Sequence, residues 1–236
     1  MAVPGASVLA VRLFEAGCAL LWLVGLWWIV RSRNPLYLGA YTASALLVLF
    51  DWIFNSKWFF RVDYSSHFIP LWRIEGAVQP IALAMNYAFY FGAPVVLLVH
   101  FRRQIDARFG RAGWLVVFVL SAAALPLFEI PMVRLLHLWH YYQRPGFLLG
   151  GVPWSNIWYS GLLTTSCYGA LRLAARWAPA VRPVTVGGPA LGGRESWWQN
   201  FALGVAAIWS AFYFSMLVQM IWYGVTQPWV PTPRPF

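Results

Sequence analysis

Long apolar runs separated by short polar stretches set the rhythm of this chain. A helix needs about 20 mostly apolar residues to cross the hydrocarbon of a bilayer. Six segments approach or exceed that length: 7–30, 36–54, 77–101, 112–133, 149–173 and 198–225. Ala, Leu and Val dominate them, and backbone groups in lipid must be satisfied internally, so the pattern predicts helices. Proline falls in several of the runs, at Pro80, Pro94, Pro126 and Pro153. Membrane helices tolerate this where neighbours satisfy the freed carbonyls. Pro153, after Gly150-Gly151, predicts a break or a helix start. The first run is too long for a signal-peptide core and ends on Arg31-Ser32-Arg33, a stop-transfer pattern, which predicts a retained membrane helix. There is no internal repeat and no stretch hydrophilic enough for a soluble domain. The expectation is all-α: one transmembrane domain over 1–236, a polytopic integral membrane bundle of about six helices.

Composition sharpens this picture. Of the 236 residues, 61% are hydrophobic and 10% charged, where a soluble domain carries roughly 25% charged residues. Aromatics reach 19%, with 16 Trp, and Trp and Tyr favour the membrane–water boundary. The net charge is +10, and Lys57 is the only lysine. Loops 31–35, 102–111 and 174–197, with the span end at Arg172, hold ten arginines, against seven basic residues on the other side. The positive-inside rule then places those loops in the cytoplasm of a cell-membrane protein and both termini outside. Arginine beside apolar runs is an orientation signal, so the expected macromolecular partner is the bilayer and not nucleic acid. Cys18 and Cys167 lie in apolar segments with no CxxC pairing.

The connections 55–76 and 134–148 differ from the rest in mixing aromatics with Asp, Glu, His and Arg, as segments over a cavity mouth would. Only seven carboxylates exist. Asp106 and Glu195 sit in arginine-bearing loops and are expected to be solvated. Glu15, Asp51 and Glu129 fall inside or at the ends of spans, where a charge costs about 3 kcal/mol on the mildest scale, so each is a functional candidate. Each also has a plainer use: Glu15 as a partner for Arg12 three residues earlier, Asp51 for Arg61, and Glu129 for Arg134. Asp63 and Glu75 balance Arg61 and Arg73. In the six-span topology Glu15, Asp51, Glu75, Glu129, Trp154 and Asn156 face one side, which predicts a polar, aromatic-lined pocket in one leaflet. A carboxyl in an apolar pocket holds its proton and can serve as a general acid, while a second, ionised one serves as base.

Several chemistries drop out. The chain has no P-loop, no GxGxxG and no GxSxG elbow. It also lacks the Asp-rich motifs that hold magnesium diphosphate and a lysine in the last span for a retinal Schiff base. His137 and His140, at i, i+3, would share a helix face, with Glu129 or His67 as a third ligand. Two histidines are slight ground for a metal, and none is expected; nor is any cofactor.

The stretches FDWIFNSKWFFRVDY, IEGAVQPIALAMNYAFYFGAP and LPLFEIPMVRLLHLWHYYQRPGFLLGGVPWSNIWYSG resemble the avermectin-type spirocyclase family of actinobacterial membrane proteins. The likeness covers roughly 45–175, and the Glu, Tyr-Tyr and Gly-Gly-Val-Pro order is also similar to bacterioruberin-type carotenoid hydratases. This chain departs in carrying Trp52 where the family has proline, and in lacking its Gly-Ser-Trp before the third span. The matched positions are Asp51, Asn55, Glu129, Tyr141 and Tyr142. The resemblance implies cyclisation, dehydration or hydration of a lipophilic polyketide or isoprenoid. Glu129 would be the acid, Asp51 the base or cation-stabilising carboxylate and Asn55 its orienting partner. Trp139, His140, Tyr141, Tyr142, Trp154, Asn156, Trp158, Glu75 and Glu15 would form the pocket. The alternatives are a non-ionising membrane terpene cyclase or carotenoid hydratase and, in another class, a non-catalytic lipid-binding protein or a transporter, the last of which would show inverted repeats and broken helices.

Overall fold

The computed structural model describes residues 5–51, 62–74, 77–141, 148–178 and 191–226. These are mostly helical. Helix α1 (Val8–Arg31) starts where the Ser7 side chain accepts the Ala10 amide, and it ends in the Ser-Arg-Asn turn. Asn34 then caps α2 (Pro35–Ala45) by accepting the Leu36 amide, with Pro35 in the first turn where its missing N–H is no loss. The second span is not one α-helix: α2 tightens into a 3₁₀ segment, Leu46–Phe50, that ends at Asp51.

Three short antiparallel ribbons follow from connections that the apolar pattern leaves as loops or span ends. Strand β1 (Val62–Tyr64) pairs with β4 (Trp139–Tyr141), β2 (Pro70–Ile74) with β3 (Ala77–Pro80), and β5 (Leu148–Leu149) with β6 (Val152–Pro153). The third predicted span therefore begins at Ile81 and the fifth at Trp154, each after a strand ending in proline. Pairing gives these segments the backbone partners that a free loop would lack. At the β5–β6 turn Gly150 and Gly151 both take positive φ, 58° and 90°, as a two-residue hairpin requires.

Helix α3 (Ile81–Tyr87) passes through a π turn, Ala88–Gly92, into α4 (Ala93–His100). Pro94 offers no N–H to Tyr90, and the wider turn accommodates that gap. The segment 102–111 is more than a loop: α5 (Arg102–Phe109) is a short exposed helix, and its Asp106 takes a two-pronged ion pair from Arg172. Helix α6 (Gly113–Arg134) carries Pro126 and Pro131. Helix α7 (Trp154–Trp177) packs between α6 and α8 (Leu191–Thr226).

Among the described residues, four helical stretches are long and apolar enough to cross a membrane: Val8–Arg31, Ile81–His100, Arg102–Arg134 and Ser196–Val225. Their outer surfaces are apolar; Leu13 is 64% exposed, Leu127 78% and Val225 79%. A surface of that extent suits lipid, not water. Pro35–Phe50 is apolar but shorter. Helix α7 has the length but is more polar, and it buries Ser155, Tyr159, Ser160 and Thr164 against its neighbours.

Candidate active site

A cavity of about 80 Å³ lies inside the bundle, where roughly 10–15 Å³ on that measure holds one water. Its wall is assembled from helix stripes. Leu83, Asn86, Tyr87, Tyr90 and Phe91 line it from α3 and the π turn, at the i, i+3, i+4, i+7, i+8 spacing of one helix face. Leu125, Phe128 and Glu129 come from α6, and Asn156, Tyr159, Ser160 and Leu163 from α7. Leu47 and Asp51 come from the end of the second span, and Phe212 from α8.

The β1–β4 ribbon closes one side. Its register sets Val62 against Tyr141 and Tyr64 against Trp139, and all four line the cavity. Asp63 and His140, opposite each other, alternate onto the other face. Trp139 and Tyr141 are buried whereas His140 is exposed.

The ribbon also serves the two acids. Asp51 is 2% exposed. The Tyr87 hydroxyl donates to its Oδ1, and the Tyr64 hydroxyl to its Oδ2 at 3.3 Å. Among the described residues Glu129 is held on one side only: the Tyr141 hydroxyl donates to Oε2 at 2.6 Å, and Asn156 Nδ2 reaches the same oxygen at 3.4 Å. Asn156 also donates to the Tyr141 hydroxyl at 3.1 Å. Burial, with the Glu129 carboxylate beside it, pushes the Tyr141 phenol well above the usual range and keeps it a donor. Asp51 is thus clamped at both oxygens by phenols, and Glu129 keeps Oε1 clear of these bonds. Carboxyl groups in unlike surroundings at one site can divide acid and base roles.

Of the residues singled out in the sequence, Asp51, Glu129, Trp139, Tyr141 and Asn156 line the cavity. Asn55, Glu75 and Tyr142 lie outside the described residues. Glu15, His140, Trp154 and Trp158 are not among the lining residues. Glu15 pairs with Arg12 and accepts the Ile69 amide at 2.7 Å, tying α1 to the chain beside β2. Trp154 is exposed at the start of α7, and Trp158 packs edge-on to Trp222. His137 and His140 share no helix face, because α6 stops at Arg134, His137 has φ 51° and His140 is in a strand. Among the described residues no three His, Cys, Asp or Glu side chains gather as metal ligands. Tyr64 and Tyr87 carry no signal of their own in so aromatic a chain. The α3 stripe went unread, although Asn86, Tyr87 and Tyr90 recur on one face of an apolar run and that spacing could have found it.

Comparison with protein-family models, curated proteins and solved structures gives no match to this chain.

Proposed function

We propose that the chain is a membrane-embedded acid–base enzyme that cyclises, dehydrates or hydrates a neutral lipophilic substrate of the polyketide or isoprenoid kind. One observation carries this: Asp51 and Glu129 line the same aromatic cavity, and among the described residues one has both oxygens occupied while the other keeps Oε1 unbonded. The resemblance to spirocyclases and carotenoid hydratases supports it independently of that geometry.

In this reading Glu129 is the general acid. In a dehydration it gives its proton to a hydroxyl, the C–O bond breaks and water leaves, and Asp51 takes a proton from the adjacent carbon. In a cyclisation it protonates a carbonyl oxygen, a hydroxyl of the same substrate attacks the carbonyl carbon, and Asp51 accepts the hydroxyl proton. Tyr141 and Asn156 hold Glu129 in place, and Asn55 would orient Asp51. Aromatic faces around the cavity stabilise positive charge that develops on the way, on the order of 1–2 kcal/mol for each desolvated ring. The architecture that goes with this has six spans, with the second span and α7 as the shorter and more polar members. Loops 31–35, 102–111 and 174–197 are cytoplasmic.

Metabolite profiling of a host carrying the wild-type gene, Glu129→Gln or Asp51→Asn, with membrane expression matched, tests the proposal. Both variants should accumulate one lipophilic precursor that differs from the product by water or only by isomerisation. Well-expressed variants with wild-type profiles would make the carboxylates structural and turn attention to a transport or lipid-binding role.

A further inference from the structure

Two asparagines face the cavity, and they are used differently. The Asn156 amide is engaged by Glu129 and Tyr141. Asn86 Oδ1 is buried, and among the described residues it has no hydrogen-bond partner. A buried amide oxygen left without a donor is costly, and native structures seldom keep one. The neighbours on its stripe do not relieve it: Leu83 and Phe91 are apolar, the Tyr87 hydroxyl is given to Asp51, and the Tyr90 hydroxyl, also buried, makes no bond to it.

We infer that Asn86 is a substrate-binding residue, and that the substrate presents a hydroxyl to it from an otherwise apolar skeleton. A hydroxyl both donates and accepts, so it satisfies whichever end of the amide faces the cavity. A carbonyl accepts only, and leaves an inward-facing amide oxygen unpaired. A hydrocarbon does nothing for either end. The other walls, Leu47, Leu125 and Phe212 among them, fit the skeleton. This rests on the reading of the cavity as the substrate site and narrows it to an alcohol, as against an unfunctionalised alkene.

The experiment uses the full chain in lipid nanodiscs, with cyclohexanol and methylcyclohexane as probes. Affinities are measured by ligand-observed NMR and referenced to nanodiscs without protein. Wild type should bind the alcohol at least about tenfold more tightly than the hydrocarbon, the ratio expected of one hydrogen bond near 1.4 kcal/mol. Asn86→Leu should bring the two within about twofold of each other, mainly by weakening the alcohol. Asn86→Ala, which adds no volume, replaces it if the leucine variant does not fold. Equal binding of the probes by wild type, no binding above empty nanodiscs, or an alcohol preference that survives loss of the amide would each overturn the inference. An unchanged metabolite profile in a Glu129→Gln strain, beside a wild-type alcohol preference that is lost with the Asn86 amide, would sink the acid–base mechanism alone.

Discussion

At the cavity, what separates Glu129 from Asp51 is the number of oxygens left to meet a substrate. Glu129→Gln keeps the size and the acceptor for Tyr141 but has no proton to give, so turnover should fall by roughly 10²–10⁴ with the fold intact, by the usual worth of a general acid. Tyr141→Phe removes the 2.6 Å bond and leaves Oε2 only the long contact from Asn156. Activity should drop about tenfold, in line with one hydrogen bond worth about 1.4 kcal/mol; an unchanged rate would show that Tyr141 does not position the acid. The two acids were legible in the sequence because charge at membrane depth is expensive and needs a reason. Of their tyrosine partners only Tyr141 was singled out, and that through the resemblance; 11 Tyr are spread through the chain, and only tertiary contact selects Tyr64 and Tyr87. Glu15 illustrates the opposite case. Its depth marked it as a candidate, yet its arginine partner was already visible three residues away, and the rest of its role is a backbone contact that no pattern reveals.

Among the elements, helices were readable and ribbons were not. A run of 20 apolar residues has one solution in lipid, whereas Trp139–Tyr141 is a strand only because Val62–Tyr64, far away in sequence, pairs with it. Once paired, period-two alternation sends Tyr64 and Tyr141 to the acids and His140 outward, which a helical reading of the histidines had merged. The closest helix contact is also a matter of two positions. A Cβ on Gly39 would lie 2.1 Å from the Phe201 carbonyl oxygen, and one on Gly204 2.2 Å from that of Leu36. Since backbone cannot yield as a side chain can, Gly39→Ala or Gly204→Ala should separate α2 from α8 at a cost on the order of 1–3 kcal/mol or more. The expected readout is a lower melting temperature and poor monodispersity in detergent. Alanine at Gly17, which has nothing within 4 Å, should be silent in the same assay.

For the whole molecule, the count and sense of the crossings turn on α7 and the second span. Helix α7 is too polar to declare itself by composition, but its 24 residues extend roughly 36 Å at 1.5 Å per residue, enough for the hydrocarbon. It lies between α6 and α8, both of which belong to apolar stretches of spanning length. Polar side chains facing other helices need not meet lipid, so its composition is that of an inner member of a bundle. If the second span crosses likewise, the chain crosses six times. The ribbon and α5 then lie on opposite faces, and the proposed orientation sets the arginine-rich helix inside. Arg108 on α5 and His140 on the ribbon are both exposed, and the native Cys18 and Cys167 are buried, so single cysteines at the first two positions can report on this with little background. In intact cells a membrane-impermeant maleimide should label His140→Cys and spare Arg108→Cys until the membrane is permeabilised. The reverse pattern would keep the bundle but invert it, placing the cavity side toward the cytoplasm. Labelling of both in intact cells would break the six-span arrangement, because Arg134 and Gly113 then could not lie at opposite faces of a helix that crosses once.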